Sequence, residues 1–145
     1  MISTIVVILA TAAVAYAVTS FAPKTPSDYK LGIKYSQAVE SDKPMLALFY
    51  VDWCGYCMRF MPKYKVISNI YKDKYNIVML NAENPENKTL AEDVSLSGFP
   101  TLYIMDPKYD NRILLNNDIY QDMTKLKVEL DRYLRIRALL DKASK

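Results

Sequence analysis

The most informative stretch of the sequence is Asp52-Trp53-Cys54-Gly55-Tyr56-Cys57. It follows an uninterrupted apolar run, residues 45–51, which predicts a strand buried on both faces. It precedes a segment with apolar side chains at helical spacing, so its second half is expected to open a helix. The sequence therefore places two cysteines, three residues apart, at a predicted strand-to-helix junction.

The two cysteines are expected to differ in chemistry because of this position. A cysteine at a helix N-terminus faces unpaired backbone N–H groups and the positive end of the helix dipole, which favour the thiolate. Cys54 is therefore the predicted nucleophile. Cys57 lies one turn further in, close enough to form a disulfide with Cys54 but more sheltered, which suits it to resolve a mixed disulfide.

Composition limits the classes of function. The chain has 145 residues, 51% hydrophobic and 24% charged, as expected for one globular domain. It has no histidine, which excludes His-ligated zinc and catalysis by Ser-His-Asp or Cys-His groups. Two cysteines cannot complete a four-ligand zinc site, and no metal or organic cofactor is expected. A net charge of +3 is too small to indicate nucleic-acid binding.

The first 22 residues differ from the rest because none carries a charged side chain. A helix of that length spans a bilayer core of about 30 Å. This predicts an N-terminal hydrophobic helix, either a membrane anchor or a signal peptide cleaved after Ala15 or Ala17, with a buried core helix as the alternative. Residues 23–29, with two prolines, are expected to form an extended linker. A folded domain is expected over residues 30–145.

That domain alternates between strand and helix patterns. The predicted strands are residues 45–51, 77–80, 101–105 and 113–115. The predicted helices are residues 36–41, 57–72 with a kink at Pro62, 89–93, and a long final helix striped by Met123, Leu126, Leu130, Tyr133 and Leu134. This order predicts an α/β fold in which a central mixed sheet is flanked by helices on both faces.

The sequence resembles the thioredoxin superfamily over about residues 35–134. The matching features are Trp53-Cys54-Gly55-Tyr56-Cys57, Pro62 five positions after the second cysteine, and Gly98-Phe99-Pro100-Thr101 before a strand. The lead-in, residues 38–52, is most similar to exported or membrane-linked thioredoxin-like domains, including the C-terminal domain of DsbD-type thiol reductases. The resemblance implies the thioredoxin fold.

The resemblance also implies a protein-disulfide oxidoreductase that acts through Cys54 and Cys57 on extracytoplasmic proteins. The reducing direction is favoured, and an oxidase or an isomerase is the alternative. Its partners would be protein thiols and disulfides, an upstream redox protein and, through the N-terminal segment, the membrane of the cell envelope. A cis peptide bond is implied before Pro100. The implied substrate-binding residues are Trp53, Gly55, Tyr56, Phe99 and Pro100.

Two departures from that family concern proton transfer. The buried acid of thioredoxins falls on Leu48, six residues before the first cysteine, and the nearby lysine falls about on Met79. The helix acid of DsbD-like domains falls on Met61. We therefore expect Cys57 to lose its proton without help from a neighbouring carboxylate.

Other interpretations of these residues are open at the level of sequence. The cysteine pair could be structural, or it could bind copper(I), since thiolates suit a soft ion. The domain could be a non-catalytic thioredoxin-like binding module or a chaperone at the membrane. Trp53 suits either core packing or a substrate platform. Residues 122–145 carry seven cationic and four anionic side chains, which predicts a solvated helix face or contact with an anionic membrane surface.

Overall fold

The computed structural model of the protein describes Ile8 and residues 22–145. The predicted hydrophobic helix at residues 1–22 lies outside the described residues, apart from Ile8 and Ala22. In the part of the chain that is described, no helix has both the length and the apolar character needed to cross a membrane.

The described residues form four strands and five α-helices. The strands are β1 (Met45–Tyr50), β2 (Asn76–Asn81), β3 (Thr101–Asp106) and β4 (Asn111–Leu115). The helices are α1 (Tyr35–Val39), α2 (Gly55–Tyr71), α3 (Lys88–Asp93), α4 (Asn117–Tyr120) and α5 (Met123–Ala143). Two 3-10 helices span Pro26–Tyr29 and Pro85–Asn87. All the predicted strands and helices of the domain are present, whereas α4 and the 3-10 helices were not predicted.

The strands form one mixed sheet in the order β2-β1-β3-β4. Strand β1 pairs parallel with β2 and antiparallel with β3, and β4 is antiparallel to β3. The carboxyl ends of β1, β2 and β4 therefore lie at the same sheet edge as the amino end of β3. This edge brings together the segments that follow Tyr50, Asn81 and Leu115 and the segment that precedes Thr101.

Helices cover both faces of the sheet, as the apolar run predicts. Leu46 and Leu48 of β1 belong to a core cluster with side chains of α2 and α5. Met45, Ala47 and Phe49 belong to a second cluster with side chains of α1 and α3. Because successive strand residues point to opposite faces, a strand covered on both sides needs an unbroken apolar sequence. The predicted sheet with helices on both faces is confirmed.

Helix α2 is tied to the sheet by the apolar stripe that the sequence indicates. Phe60, Tyr64, Ile67 and Tyr71 are all buried. The hydroxyl of Tyr64 lies 3.0 Å from the carbonyl oxygen of Leu46 and 2.9 Å from that of Val78, so one side chain reaches both β1 and β2. Burial raises the pKa of this phenol, which keeps it protonated as a donor. These contacts hold the middle of α2 against β1 and β2.

The segment expected to be an extended linker contains the 3-10 helix Pro26–Tyr29. Pro26 is buried. The carboxylate of Asp28 accepts hydrogen bonds from the backbone N–H groups of Lys24 and Thr25, both at 2.9 Å. A proline at the first helical position has a preset φ and lacks an N–H that would be unpaired there. Local capping and burial of a proline ring thus produce a compact turn within residues 23–29.

Candidate redox site

The two cysteines lie where β1 gives way to α2. Cys54 is the N-cap residue of α2, and its sulfur accepts a hydrogen bond from the backbone N–H of Cys57 at 3.1 Å. The backbone N–H of Cys54 donates to the carbonyl oxygen of Val51, which closes the turn. Both cysteines are free thiols, and Cys54 is 7% exposed whereas Cys57 is fully buried. The structure therefore gives the two thiols unequal access to solvent.

Burial dominates the acidity of Cys57. It raises the pKa of this thiol to about 12, with the neighbouring Cys54 side chain acting in the same direction. The backbone N–H groups of Val51 and of Cys57 itself oppose the shift without cancelling it. Cys57 is consequently a thiol, and a poor nucleophile, throughout the neutral pH range.

The positions that carry proton-transfer groups in related families are apolar here. Leu48 and Met61 are fully buried in the cluster beneath the site. Met79 packs against the smaller cluster formed by Tyr50, Val51 and the two cysteines. These side chains can neither accept nor donate the proton of Cys57.

A loop before β3 faces the nucleophile. The peptide bond between Phe99 and Pro100 is cis, as the resemblance implies. The thiol of Cys54 lies 3.7 Å from the carbonyl oxygen of Phe99, within the longer range of a hydrogen bond from sulfur. Thr101 fixes the loop by donating from its hydroxyl to the carbonyl oxygen of Gly98 at 2.7 Å. The loop therefore presents backbone oxygen beside the reactive sulfur.

An open groove of about 450 Å³ runs from this loop toward β4 and α4. Three predicted substrate-binding residues line it: Tyr56, Phe99 and Pro100. Tyr120 of α4 also lines it, although no sequence pattern pointed to that residue. Gly55, the first residue of α2, does not line the groove but follows the nucleophile directly.

Two exposed aromatic side chains flank the cysteines. Trp53 is 73% exposed and Tyr56 is 69% exposed, so neither is a core residue. The indole N–H of Trp53 donates to the carboxylate of Glu83, and the guanidinium of Arg59 lies 4.6 Å from the centre of the Tyr56 ring. Neither charged partner was expected from the sequence. Glu83 follows β2, and parallel pairing of β1 with β2 is the signal that places it near Trp53.

Within residue 8 and residues 22–145, no group of three or more His, Cys, Asp or Glu side chains is arranged to hold a metal ion.

Comparison with known proteins identifies relatives of this domain. The thioredoxin family model matches residues 30–129. Protein disulfide isomerase-like 2-1 of Oryza sativa subsp. japonica is 36% identical over 67 residues, which cover 46% of this chain and 18% of that protein. Thioredoxin-like protein HCF164, chloroplastic, of Arabidopsis thaliana is 34% identical over 74 residues, which cover 51% of this chain and 28% of that protein. The chain thus matches less than a third of the length of either relative.

Solved structures show the same architecture. The germline-specific thioredoxin Deadhead of Drosophila melanogaster superposes with a TM-score of 0.55 at 21% identity, over 75% of this chain and 94% of that one. The J-Trx1 fragment of ERdj5 superposes with a TM-score of 0.58 at 18% identity, over 70% of this chain and 48% of that one. With a family model that matches more than half of its residues, the chain belongs to the thioredoxin family and has the thioredoxin fold.

Proposed function

We propose that the protein is a thiol–disulfide oxidoreductase that exchanges disulfides with other proteins through Cys54 and Cys57. The proposal rests chiefly on the position of Cys54, whose sulfur accepts the N–H of Cys57 at the start of α2 and faces the cis-proline loop. Relatives named as protein disulfide isomerases support it.

The exchange proceeds in two balanced steps. The Cys54 thiolate attacks a substrate disulfide, so that a bond forms between Cys54 and one substrate sulfur while the substrate S–S bond breaks. The other substrate sulfur leaves as a thiolate and takes up a proton. The Cys57 thiolate then attacks the Cys54 sulfur, which forms the Cys54–Cys57 disulfide and releases the second substrate thiol. The substrate gains two electrons, and an upstream dithiol partner must return them to the protein.

The surroundings of Cys54 supply specific parts of this reaction. The N–H of Cys57 stabilises negative charge on the Cys54 sulfur. The groove beside Pro100 accommodates an extended substrate segment, with Tyr56 and Phe99 as its apolar walls and Trp53 as a platform on the other flank. Gly55 brings no side chain to the approach to the sulfur. The reducing direction is proposed from the similarity of residues 38–52 to exported reductases.

Reduction of insulin disulfides tests the activity. The unmodified protein, supplied with a dithiol reductant, is expected to turn over insulin, and Cys54→Ser is expected to abolish turnover. Cys57→Ser is the matched comparison because it keeps the nucleophile and should accumulate mixed disulfides that Cys54→Ser does not form. Equal insulin turnover by the unmodified protein and Cys54→Ser would contradict the proposal and favour a binding module.

The location forms part of the same proposal. The 22 uncharged N-terminal residues would hold the domain at a membrane on its extracytoplasmic side. The protein is then expected to fractionate with membranes and to resist added protease until the cell envelope is opened. A processed protein beginning at Val18 would identify a signal peptide instead, and a cytoplasmic pool with an intact N-terminus would contradict export.

A further inference from the structure

Residues 24–33 form a strap that is fixed to the domain at both ends. Near its carboxyl end, the backbone N–H of Ile33 donates to the carbonyl oxygen of Ile77 on β2 at 2.9 Å. Gly32 has φ +77°, and a Cβ atom there would lie 1.8 Å from the same oxygen. Only glycine permits this approach. Leu31 packs against the main core cluster.

The other end of the strap reaches the redox motif through Ser27. Its backbone N–H donates to one carboxylate oxygen of Asp52 at 3.0 Å, and its hydroxyl donates to the other oxygen at 2.9 Å. The Ser27 hydroxyl also lies 2.9 Å from the hydroxyl of Tyr50. Since an ionised carboxylate only accepts, the Ser27 proton points to Asp52 and Tyr50 must donate to Ser27. The result is a directed chain from phenol to hydroxyl to carboxylate.

Both partners of Ser27 adjoin the reactive cysteines. Tyr50 is the last residue of β1, is 6% exposed and packs in one cluster with Cys54 and Cys57. Asp52 precedes Cys54 by two residues, so their Cα atoms are separated by at most about 7.6 Å. Charges on residues this close in the chain lie within about one Debye length at physiological salt, so the charge of Asp52 acts on reactions at the Cys54 sulfur.

We propose that Ser27 is a positioning residue of the redox site. Its two donors compensate the charge of Asp52 and hold the carboxylate on the strap, away from the sulfur on which negative charge develops. Its acceptor oxygen also satisfies the buried phenol of Tyr50. The strap is thereby part of the redox site. This inference rests on the proposed function, because disulfide exchange is the reaction for which Cys54 would be positioned. The reactivity of Cys54 itself is measurable without any protein substrate.

Loss of this positioning should increase the electrostatic repulsion that an anionic reagent meets at Cys54. Removing the Ser27 hydroxyl leaves one Asp52 oxygen without its donor and frees the carboxylate to approach the sulfur. An anionic reagent is then repelled more strongly than a neutral one. For a carboxylate that moves from about 7 Å to about 3.5 Å from the charge of the reagent in a water-like medium, the added repulsion changes the relative rate by about two- to threefold.

Alkylation of Cys54 by a pair of reagents measures this effect. In full-length protein carrying Cys57→Ser, Cys54 is the sole thiol, and its rate constants with iodoacetate and with iodoacetamide are determined at low ionic strength. Ser27→Ala is expected to lower the iodoacetate-to-iodoacetamide ratio about two- to threefold. Ser36→Ala, which removes an exposed hydroxyl from α1, is the matched control and should leave the ratio unchanged.

A second pair of variants separates positioning from general loosening. In an Asp52→Asn background the carboxylate charge is gone, so adding Ser27→Ala should no longer change the ratio. An unchanged ratio in Ser27→Ala with Asp52 present, or an equal fall of both rates, would overturn the proposal. The same ratio change in the Asp52→Asn background would overturn it as well. If Ser27→Ala gives the expected ratio change but the protein does not turn over insulin, the proposed exchange activity is contradicted and the positioning role of Ser27 is not.

Discussion

The two ends of the central sheet differ in whether a buried ionisable group has a charged partner. At the carboxyl end of β3, Asp106 is 1% exposed, and its carboxylate accepts from the Arg137 guanidinium at 2.8 Å and from the Tyr133 hydroxyl at 2.9 Å. At the other end, Cys57 is fully buried beside apolar side chains, and burial raises its pKa to about 12. The structural end thus pairs its buried carboxylate with a cation, whereas the reactive end buries a thiol that its surroundings keep protonated.

This difference assigns separate tasks to the two ends. The guanidinium of Arg137 also donates to the backbone oxygen of Asp42 before β1, so the charged cluster fastens α5 to the end of β3 and to the segment before β1. Such a cluster contributes to stability and touches no reacting atom. At the cysteine end, Cys57 is a thiol that ionises with difficulty. This limits the rate of its reaction and does not limit the stability of the fold. Substitutions at one end should therefore change stability, and substitutions at the other should change rates.

The largest expected effect comes from breaking the charged cluster. Arg137→Ala leaves the Asp106 carboxylate buried without its cation and is expected to lower the free energy of unfolding by about 3–5 kcal/mol. Insulin turnover per folded molecule should stay unchanged. Denaturant unfolding measures the loss, and Arg135→Ala, an exposed residue on the same helix, should change stability by less than about 0.5 kcal/mol. Equal losses in the two variants would contradict the assigned role.

A carboxylate introduced at the cysteine end would give both ends of the sheet a buried acid. Leu48→Asp puts an acid at the position that holds one in thioredoxins, and it is expected to speed resolution of a mixed disulfide near neutral pH and to flatten its pH dependence. The buried acid should also cost several kcal/mol of stability. Leu46→Asp is the matched control, since Leu46 lies on the same face of β1 and further from the cysteines. The same resolution rate in both variants would show that a carboxylate at position 48 does not assist the resolution step.

The smallest expected effect concerns the exposed flank of the site. Glu83→Ala removes the partner of the Trp53 indole and frees this aromatic platform to move. Because the pair is exposed, we expect insulin KM to rise by no more than about fivefold with kcat unchanged. Glu86→Ala, an exposed acid three residues further on, serves as the control. A fall in kcat would mean that Glu83 acts on the reacting sulfurs rather than on substrate binding.

The sequence predicts the sheet and the position of both cysteines because these depend on local patterns. A short, unbroken apolar run bounded by Pro44 and Asp52 favours a strand covered on both faces, and β1 is one. Helix α2 was expected from residue 57 and begins at Gly55, because Cys54 caps it with its sulfur. Periodicity carries no information about a sulfur cap, so helix starts are less well predicted than helix faces.

The parts that the sequence did not predict depend on contacts between distant segments. Ser27 lies 25 residues before Asp52, and nothing in a proline-containing polar segment indicates that it packs on a strand end. Tyr120 lies on the four-residue helix α4, which is too short to produce a periodic pattern. The missing acids at Leu48 and Met61 were visible from sequence, whereas the burial that makes their absence matter required the structure.

The rate at which Cys57 resolves a mixed disulfide shows whether any group near this thiol accepts its proton. In the mixed disulfide the Cys54 sulfur carries no charge, but burial, the larger cause of the raised pKa of Cys57, persists. A preformed complex between Cys54 and a small thiol is followed by stopped flow as the pH is raised. The resolution rate is expected to climb steadily across about pH 6 to 9, because the thiolate fraction of a thiol with a raised pKa increases throughout that range. A rate independent of pH would mean that another group accepts the proton, and would contradict the account.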